Sequence, residues 1–258
     1  MELGLGSKRV LVTGGSKGIG FACARMFQAE GARVAICSRS QANVDAAVGL
    51  LGSAFGVVAD CADAGAALAM IDRVEAALGP VDVLVNSAGA ARRTPPPDLT
   101  PEIWRAAFDA KFFSYINVID PLIKRMAARG SGVVVNVIGA GGKVASPTHL
   151  AGGSANAALM LATAGLGAAY GPSGVRVVAV SPGLTETDRV AEGLAAEARA
   201  SGVSLEQARR QAVGRLPLGR MASPDEIAGA VVFLASEQAS YVTGATLAMD
   251  GAAAPVVI

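Results

Sequence analysis

The most specific chemistry in the chain lies near its start, in Thr13-Gly14-Gly15-Ser16-Lys17-Gly18-Ile19-Gly20. This stretch follows an apolar run and opens an amphipathic helical pattern (Phe21, Ala24, Met26, Phe27) that stops at Gly31. Glycines there let the backbone approach a pyrophosphate, and the helix N-terminus offers free N–H groups and partial positive charge. The spacing is G-x-x-x-G-x-G, not the commoner G-x-G-x-x-G. Ser38 and Arg39 follow the second apolar run, where an NAD site carries an acid for the ribose 2′-hydroxyl. A carboxylate repels a 2′-phosphate, whereas a guanidinium pairs with it. Lys17 can reach the same phosphate. The sequence therefore predicts NADP(H) in preference to NAD(H).

The acid–base groups are few. His149 is the only histidine, which excludes any single-chain site needing two. Tyr115, Tyr170 and Tyr241 are the only tyrosines, and Ile119, Gly174 and Ala245 stand four residues after them. Lys111 interrupts the stripe Trp104, Phe108, Lys111, Tyr115, Val118, Leu122, whose steps of four and three describe one helix face. A buried ammonium must find an anion or a wet cavity. Lys111 is therefore a candidate catalytic or carboxylate-binding cation. The competing reading is a lysine that snorkels outward or pairs with Asp109.

These residues need a scaffold, and the pattern supplies one. Strands are predicted at Arg9–Thr13, Arg33–Ser38, Ala54–Ala59, Val81–Asn86, Gly132–Ile138, Val175–Ser181 and Thr246–Met249, with helical patterns between them. Several are apolar on both faces, as parallel strands covered by helices are. End-to-end strand–helix alternation means an α/β fold with a parallel sheet. A single helix is expected over Pro101–Arg129, capped by Thr100. The chain is 258 residues long, 52% hydrophobic and 17% charged, which excludes disorder. Its net charge of +1 argues against a nucleic-acid partner. Val144–Val175 lacks Asp, Glu, Lys and Arg, but it is too rich in Ala and Gly for a membrane span. A helix buried between layers or subunits is expected there. Three cysteines without a C-x-x-C motif suggest no disulfide framework and no metal site. With no signal-peptide pattern, a reducing, cytoplasmic setting is expected.

The chain resembles the short-chain dehydrogenase/reductases over nearly its whole length. Thr13–Gly20 is similar to the family's TGxxxGIG, and Asp60 ends the third strand where the family contacts adenine. Asn86-Ser87-Ala88-Gly89 resembles NNAG, and Pro182-Gly183-Leu184-Thr185-Glu186-Thr187 resembles the PGxxxT segment flanking the nicotinamide. The resemblance implies a single Rossmann-type doubly wound domain over residues 1–258, with a seven-stranded parallel sheet, assembled as a dimer or homotetramer. Gly14, Ser16, Lys17, Gly18, Ile19, Gly20, Ser38, Arg39, Asp60, Cys61, Asn86, Ala88, Gly89, Asn156, Pro182, Gly183, Thr185 and Thr187 are its implied cofactor residues.

The family's catalytic groups are a Tyr donating the proton, a Lys four residues on, a Ser on the substrate oxygen and an Asn anchoring a water relay. Ala151–Leu159 takes the register of AYxxxKAAL, so Gly152 stands for the Tyr and Asn156 for the Lys. Gly139 stands for the Ser and Lys111 for the Asn. Losing a positioned acid costs about 10²–10⁴-fold in rate. Lys111 and His149 are the candidate catalytic replacements, with Lys143 a weaker one. Glycine at 139 and 152 predicts a roomier pocket, open to a large substrate or a repositioned side chain.

The expected function is an NADP(H)-binding oxidoreductase acting on a ketone, alcohol or acyl substrate. A catalytically inactive cofactor-binding regulator or partner subunit, or a lyase or isomerase on the same fold, is the alternative. Residues of about 187–215 are expected to form a substrate lid. Val190, Leu194 and Ala198 give it one apolar face, and Arg209-Arg210 is read mainly as a solvated surface.

Overall fold

The computed structural model describes residues 2–89 and 91–256. Seven strands form one parallel sheet: β1 (Arg9–Thr13), β2 (Arg33–Ser38), β3 (Phe55–Val58), β4 (Val83–Asn86), β5 (Gly132–Val137), β6 (Val175–Pro182) and β7 (Thr246–Met249). Each agrees with its expected span to within two residues. The order is β3-β2-β1-β4-β5-β6-β7. The chain reverses direction across the sheet between β1 and β4, and the crevice outside the strand ends there is where such folds bind ligands.

Helices α1 (Gly18–Ala29) and α9 (Pro224–Ala235) cover one face, packing Phe27, Ile227 and Val231 against Val10, Val12 and Val85. Helices α3 (Ala64–Leu78), α5 (Ser114–Arg129) and α6 (Leu150–Tyr170) cover the other, packing Ile71, Leu122 and Leu159 against Leu11, Leu84 and Val134. This two-sided burial is why the strands read as continuous apolar runs. Helix α2 (Gln41–Leu51) follows β2, and α4 (Pro101–Phe108) precedes α5. Helices α7 (Asp188–Ser201) and α8 (Leu205–Val213) follow β6.

A polar ladder crosses the buried sheet at the strand ends. Thr13, Asn86 and Asn136 are neighbours in register on β1, β4 and β5. Thr13 Oγ1 donates to Asn86 Oδ1, and Asn86 Nδ2 donates to Asn136 Oδ1 at 3.0 Å. Asn136 Nδ2 donates to Thr163 Oγ1 on α6 at 3.1 Å, and that hydroxyl donates to Leu159 O. The amides of Ser87 and Ala88 donate back to Thr13 Oγ1. Every member is satisfied, so the ladder fixes the loop after β4 relative to α6 without an unpaired buried group.

One expected element is corrected. The single helix over Pro101–Arg129 is broken by a π turn, Asp109–Phe113. Such a turn widens the coil by one residue and frees main-chain carbonyls. Ser114 Oγ takes two of them, donating to Ala110 O at 2.9 Å and Lys111 O at 3.1 Å. The neighbouring loop presses here. Gly89 has φ +107, and a Cβ on it would lie 2.2 Å from Ala110 O. Among the described residues no helix is long and apolar enough to cross a membrane.

Candidate active site

The cleft begins at the glycine loop between β1 and α1. Gly14 and Gly18 have φ +64 and +53, open to glycine at no strain. A Cβ on Gly14 would meet Ala88 Cα at 2.8 Å, and one on Gly20 would meet Gly14 O at 2.3 Å. Lys17 caps α1 with no side-chain hydrogen bond, so no side chain competes for the helix's first amides. This cradle fits a dinucleotide pyrophosphate. Lys17 and Arg39 are exposed, Ser38 is partly buried, and none of the ion pairs among the described residues uses either base.

Beyond β2, the Asp60 side chain accepts from Ala62 N and shapes the turn after β3. Cys61 is buried with its Sγ 3.7 Å from Cys37 Sγ, and the hydrogen bond with that thiol, then burial, raises its pKa. Asn117 on α5 clamps this turn through Cys61 O and Ala62 O. Asn86 is fully buried and its amide is committed to the ladder, so its side chain does not reach the cleft. On the opposite wall, Thr185 donates to Gly183 O, and Thr187 caps α7 by accepting from Val190 N. The methyl of Thr187 lies 3.3 Å from where a Cβ on Gly18 would stand, so this segment meets the glycine loop. Pro182 is buried beneath it.

The inner end is organised by Lys111, Asn156, Gly139 and His149. The π turn carries Lys111 inward, and its Nζ donates to Asn156 Oδ1 at 3.0 Å. Asn156 Nδ2 donates to Gly139 O at 3.1 Å, so both ends of this buried amide are used. Burial, then the charge of Arg189, lowers the Lys111 pKa to about 8. The neighbour pairing with Asp109 is not made.

The glycines do not leave the roomier pocket that the sequence predicts. A Cβ on Gly152 would lie 2.3 Å from His149 Cε1 and 2.8 Å from its Nε2, and one on Gly141 would lie 3.0 Å from its Cδ2. The turn Pro147–His149 folds back on the start of α6 and lays the imidazole into the vacated space. Around Gly139 the nearest atom is Asn156 Nδ2, at 3.3 Å from the same construction. His149 Nδ1 is buried and has no partner among the described residues. Burial first, then the charges of Lys111 and Arg93, hold the ring's pKa below its usual value.

No tyrosine competes for this place. The buried Tyr115 hydroxyl donates to Val137 O at 2.7 Å, and Tyr241 is fully exposed. Lys143 lies at the mouth, partly buried.

Sequence reasoning missed two rim cations. Arg93 donates to Thr148 Oγ1 at 3.4 Å, and Arg189 on α7 donates to Gly89 O at 3.1 Å. Their signal was position: one follows the segment closing β4, the other lies two residues beyond Thr187. In α7, Leu194 and Ala198 are buried, and Leu194 packs with Leu216 and Met221 in a small local core. That apolar face is therefore partly spent within the segment. Arg209 and Arg210 pair with Glu186 and Glu206, which makes them a solvated ionic surface.

The cleft lies at the carboxyl ends of a parallel sheet, where dehydrogenases of this fold hold a dinucleotide. Residues 14–252 match the family model described as enoyl-(acyl carrier protein) reductase. The cis-4-hydroxycyclohexanecarboxylate dehydrogenase of Sinomonas cyclohexanicum is 36% identical, over 93% of this chain and 94% of its own. The 3alpha-hydroxysteroid dehydrogenase of Mediterraneibacter gnavus is 33% identical, over 98% and 99%. A crystal structure of an actinorhodin polyketide ketoreductase variant with NADPH superposes with a TM-score of 0.94 at 30% identity, covering 97% of this chain and 98% of that one. The chain belongs to the short-chain dehydrogenase/reductase family and is an oxidoreductase.

The lone histidine makes its environment measurable by NMR. Its titration midpoint is expected below the ordinary 6.5. Lys111→Met, which removes a repelling charge, and Gly152→Ala, which crowds the ring out of its niche, should each raise it. A midpoint unmoved by both would contradict this geometry.

Proposed function

We propose that this enzyme moves a hydride between NADP(H) and the carbonyl or hydroxyl carbon of a small substrate, with His149 exchanging the proton. The observation that carries the reading is the imidazole lying over Gly152, beside the Lys111–Asn156 pair. In the family register, Gly152 stands for the proton-donating Tyr. The Lys and Asn positions are exchanged, so that an ammonium reaches the same place from the π turn rather than from α6. This supports a rebuilt acid–base centre rather than a dead one.

When bound, the nicotinamide gives or takes the hydride. The chain's own groups do the rest. In oxidation, the neutral His149 ring accepts the hydroxyl proton; in reduction, the imidazolium returns it. Lys111, held by Asn156, opposes protonation of the ring and so sharpens it as an acid. The amides of Gly14, Ser16, Gly18, Ile19 and Gly20 are assigned to the pyrophosphate, and Ser38, Arg39 and Lys17 to the 2′-phosphate. Asp60 and Cys61 border the adenine. Ala88, Gly89, Pro182, Gly183, Thr185 and Thr187 border the ribose and nicotinamide, and the segment of about 187–215 is the lid. NADPH in two solved relatives supports the cofactor choice.

His149→Ala is expected to lower kcat by about 10²–10⁴-fold while NADPH affinity, read by fluorescence, stays nearly intact. Lys111→Met should impair turnover with the same sparing of NADPH binding. For alcohol oxidation, kcat/KM should rise through a pKa below 6.5 as His149 becomes neutral; for ketone reduction it should fall through that same pKa as the imidazolium is lost, and again near pH 8 as Lys111 loses its charge. NADPH binding without turnover of any ketone or enoyl thioester would identify a non-catalytic cofactor binder instead.

Arg39→Asp is expected to weaken NADPH binding roughly 10- to 100-fold, the worth of a charged hydrogen bond, and to spare NADH. Equal losses for both would overturn the NADP(H) assignment.

Leu161 on α6 is 77% exposed, amid small residues, and Phe113, in the π turn that packs against α6, is 44% exposed. This supports a homo-oligomer built on the α6 face. Light scattering should give a dimer or tetramer, which Leu161→Glu dissociates without unfolding the subunit. A monomeric wild type would refute it.

A further inference from the structure

We propose that the substrate carries a carboxylate, bound by Lys111 inside the cleft and by Arg93 and Arg189 at its rim. This rests on reading the cleft as the hydride-transfer site, and it specifies the charge of what enters.

The first observation is an incomplete ammonium. Lys111 has three N–H donors, and its one side-chain partner is Asn156 Oδ1. None of the ion pairs among the described residues includes it. Its partner is a neutral amide, which positions the cation without neutralising it. A partly buried charge left so is costly unless an anion arrives.

The second observation is convergence. Arg93 comes from the loop after β4 and Arg189 from the first turn of α7, and each is tethered by an uncharged oxygen, on Thr148 and Gly89 respectively. The charges acting on Lys111 and His149 are all positive: Arg189 on the first, Lys111 and Arg93 on the second. Elsewhere, Arg25, Arg105, Arg125, Arg209 and Arg220 are each paired with a carboxylate. The cleft thus has one base inside and two at its rim, from three segments, and among the described residues no acid is paired with them. On the same reading, the dinucleotide's phosphates are met at the other end, by the glycine loop, Lys17 and Arg39.

A carboxylate fits better than a phosphate. One inward ammonium offsets one charge, and desolvating a dianion costs more than desolvating a monoanion. Arg93 and Arg189 are exposed, so their contribution is screened and lies mainly in capture and orientation.

The test uses the NADPH-loaded enzyme and straight-chain oxo acids paired with their methyl esters. The acids should exceed the esters in kcat/KM by roughly 10- to 100-fold. Arg93→Gln and Arg189→Gln should each raise KM for the acids by roughly two- to fivefold more than KM for the esters. A second arm needs no turnover: the matching carboxylic acids without the ketone are titrated calorimetrically into the holoenzyme. Binding should be lost in Lys111→Met, and in the wild type it should raise the His149 titration midpoint by shielding the Lys111 charge. Esters reduced as well as acids, a preference for phosphorylated ketones, or no carboxylate binding would each overturn the proposal. Esters reduced without acid preference leave the hydride-transfer reading intact. Carboxylate binding with no reduction of any ketone supports the site and removes that reading.

Discussion

A cation held inward without a carboxylate partner constrains everything around it. Lys111 contributes an ammonium to a cleft walled by helices, and its charge is sustained by the carbonyl of an amide. An acid at position 156 would hold it more tightly and cancel it. Asn156 instead passes the strain on, since its other end grips Gly139 O at the end of β5. The π turn, the end of the sheet and α6 are thus joined through one side chain. The lowered basicity of Lys111 records the cost of burying a charge that stays available.

That arrangement needs backbone that is out of the ordinary. The π turn aims Lys111 across at α6, and the freed carbonyls are tolerable because Ser114 caps them. Gly89 lets the loop after β4 close on the same turn. The Thr13–Asn86–Asn136–Thr163 ladder sets the height of that loop against α6. The end of β1, the loop after β4 and α6 are therefore tied together, and the Lys111–Asn156–Gly139 chain hangs from the same α6.

The scaffold was legible in the sequence because its signals are local and repeated. Strands apolar on both faces, Thr100 before Pro101, and the glycine loop each report a structure within a few residues. The inner site was half legible. Lys111 stood out as a charge in an apolar stripe, and Gly139 and Gly152 as vacancies. What fills the vacancies was not legible. The place of His149 depends on how the turn Pro147–His149 folds back, which no periodicity encodes. The π turn escaped as well, because steps of four and three tolerate one extra residue per turn. The exchange of Lys and Asn reads as two losses until the 3.0 Å hydrogen bond from Lys111 to Asn156 makes it one pair. Arg93 and Arg189 are 96 residues apart in number and only the fold brings both to the rim of one cleft.

Composition hid the electrostatics for a related reason. With 22 basic and 21 acidic residues, the chain is nearly neutral, and a count of charges argues for no field at all. The structure distributes them unevenly. Arg125 is answered by Asp72 and Glu75, whereas no ion pair among the described residues includes Lys111, Arg93 or Arg189. A low-dielectric groove with unanswered cations concentrates the field that remains. The potential at the site thus arises from withholding acids locally, not from an excess of bases. Single substitutions that introduce an acid near Lys111 would erase it while leaving the fold and the overall charge almost unchanged.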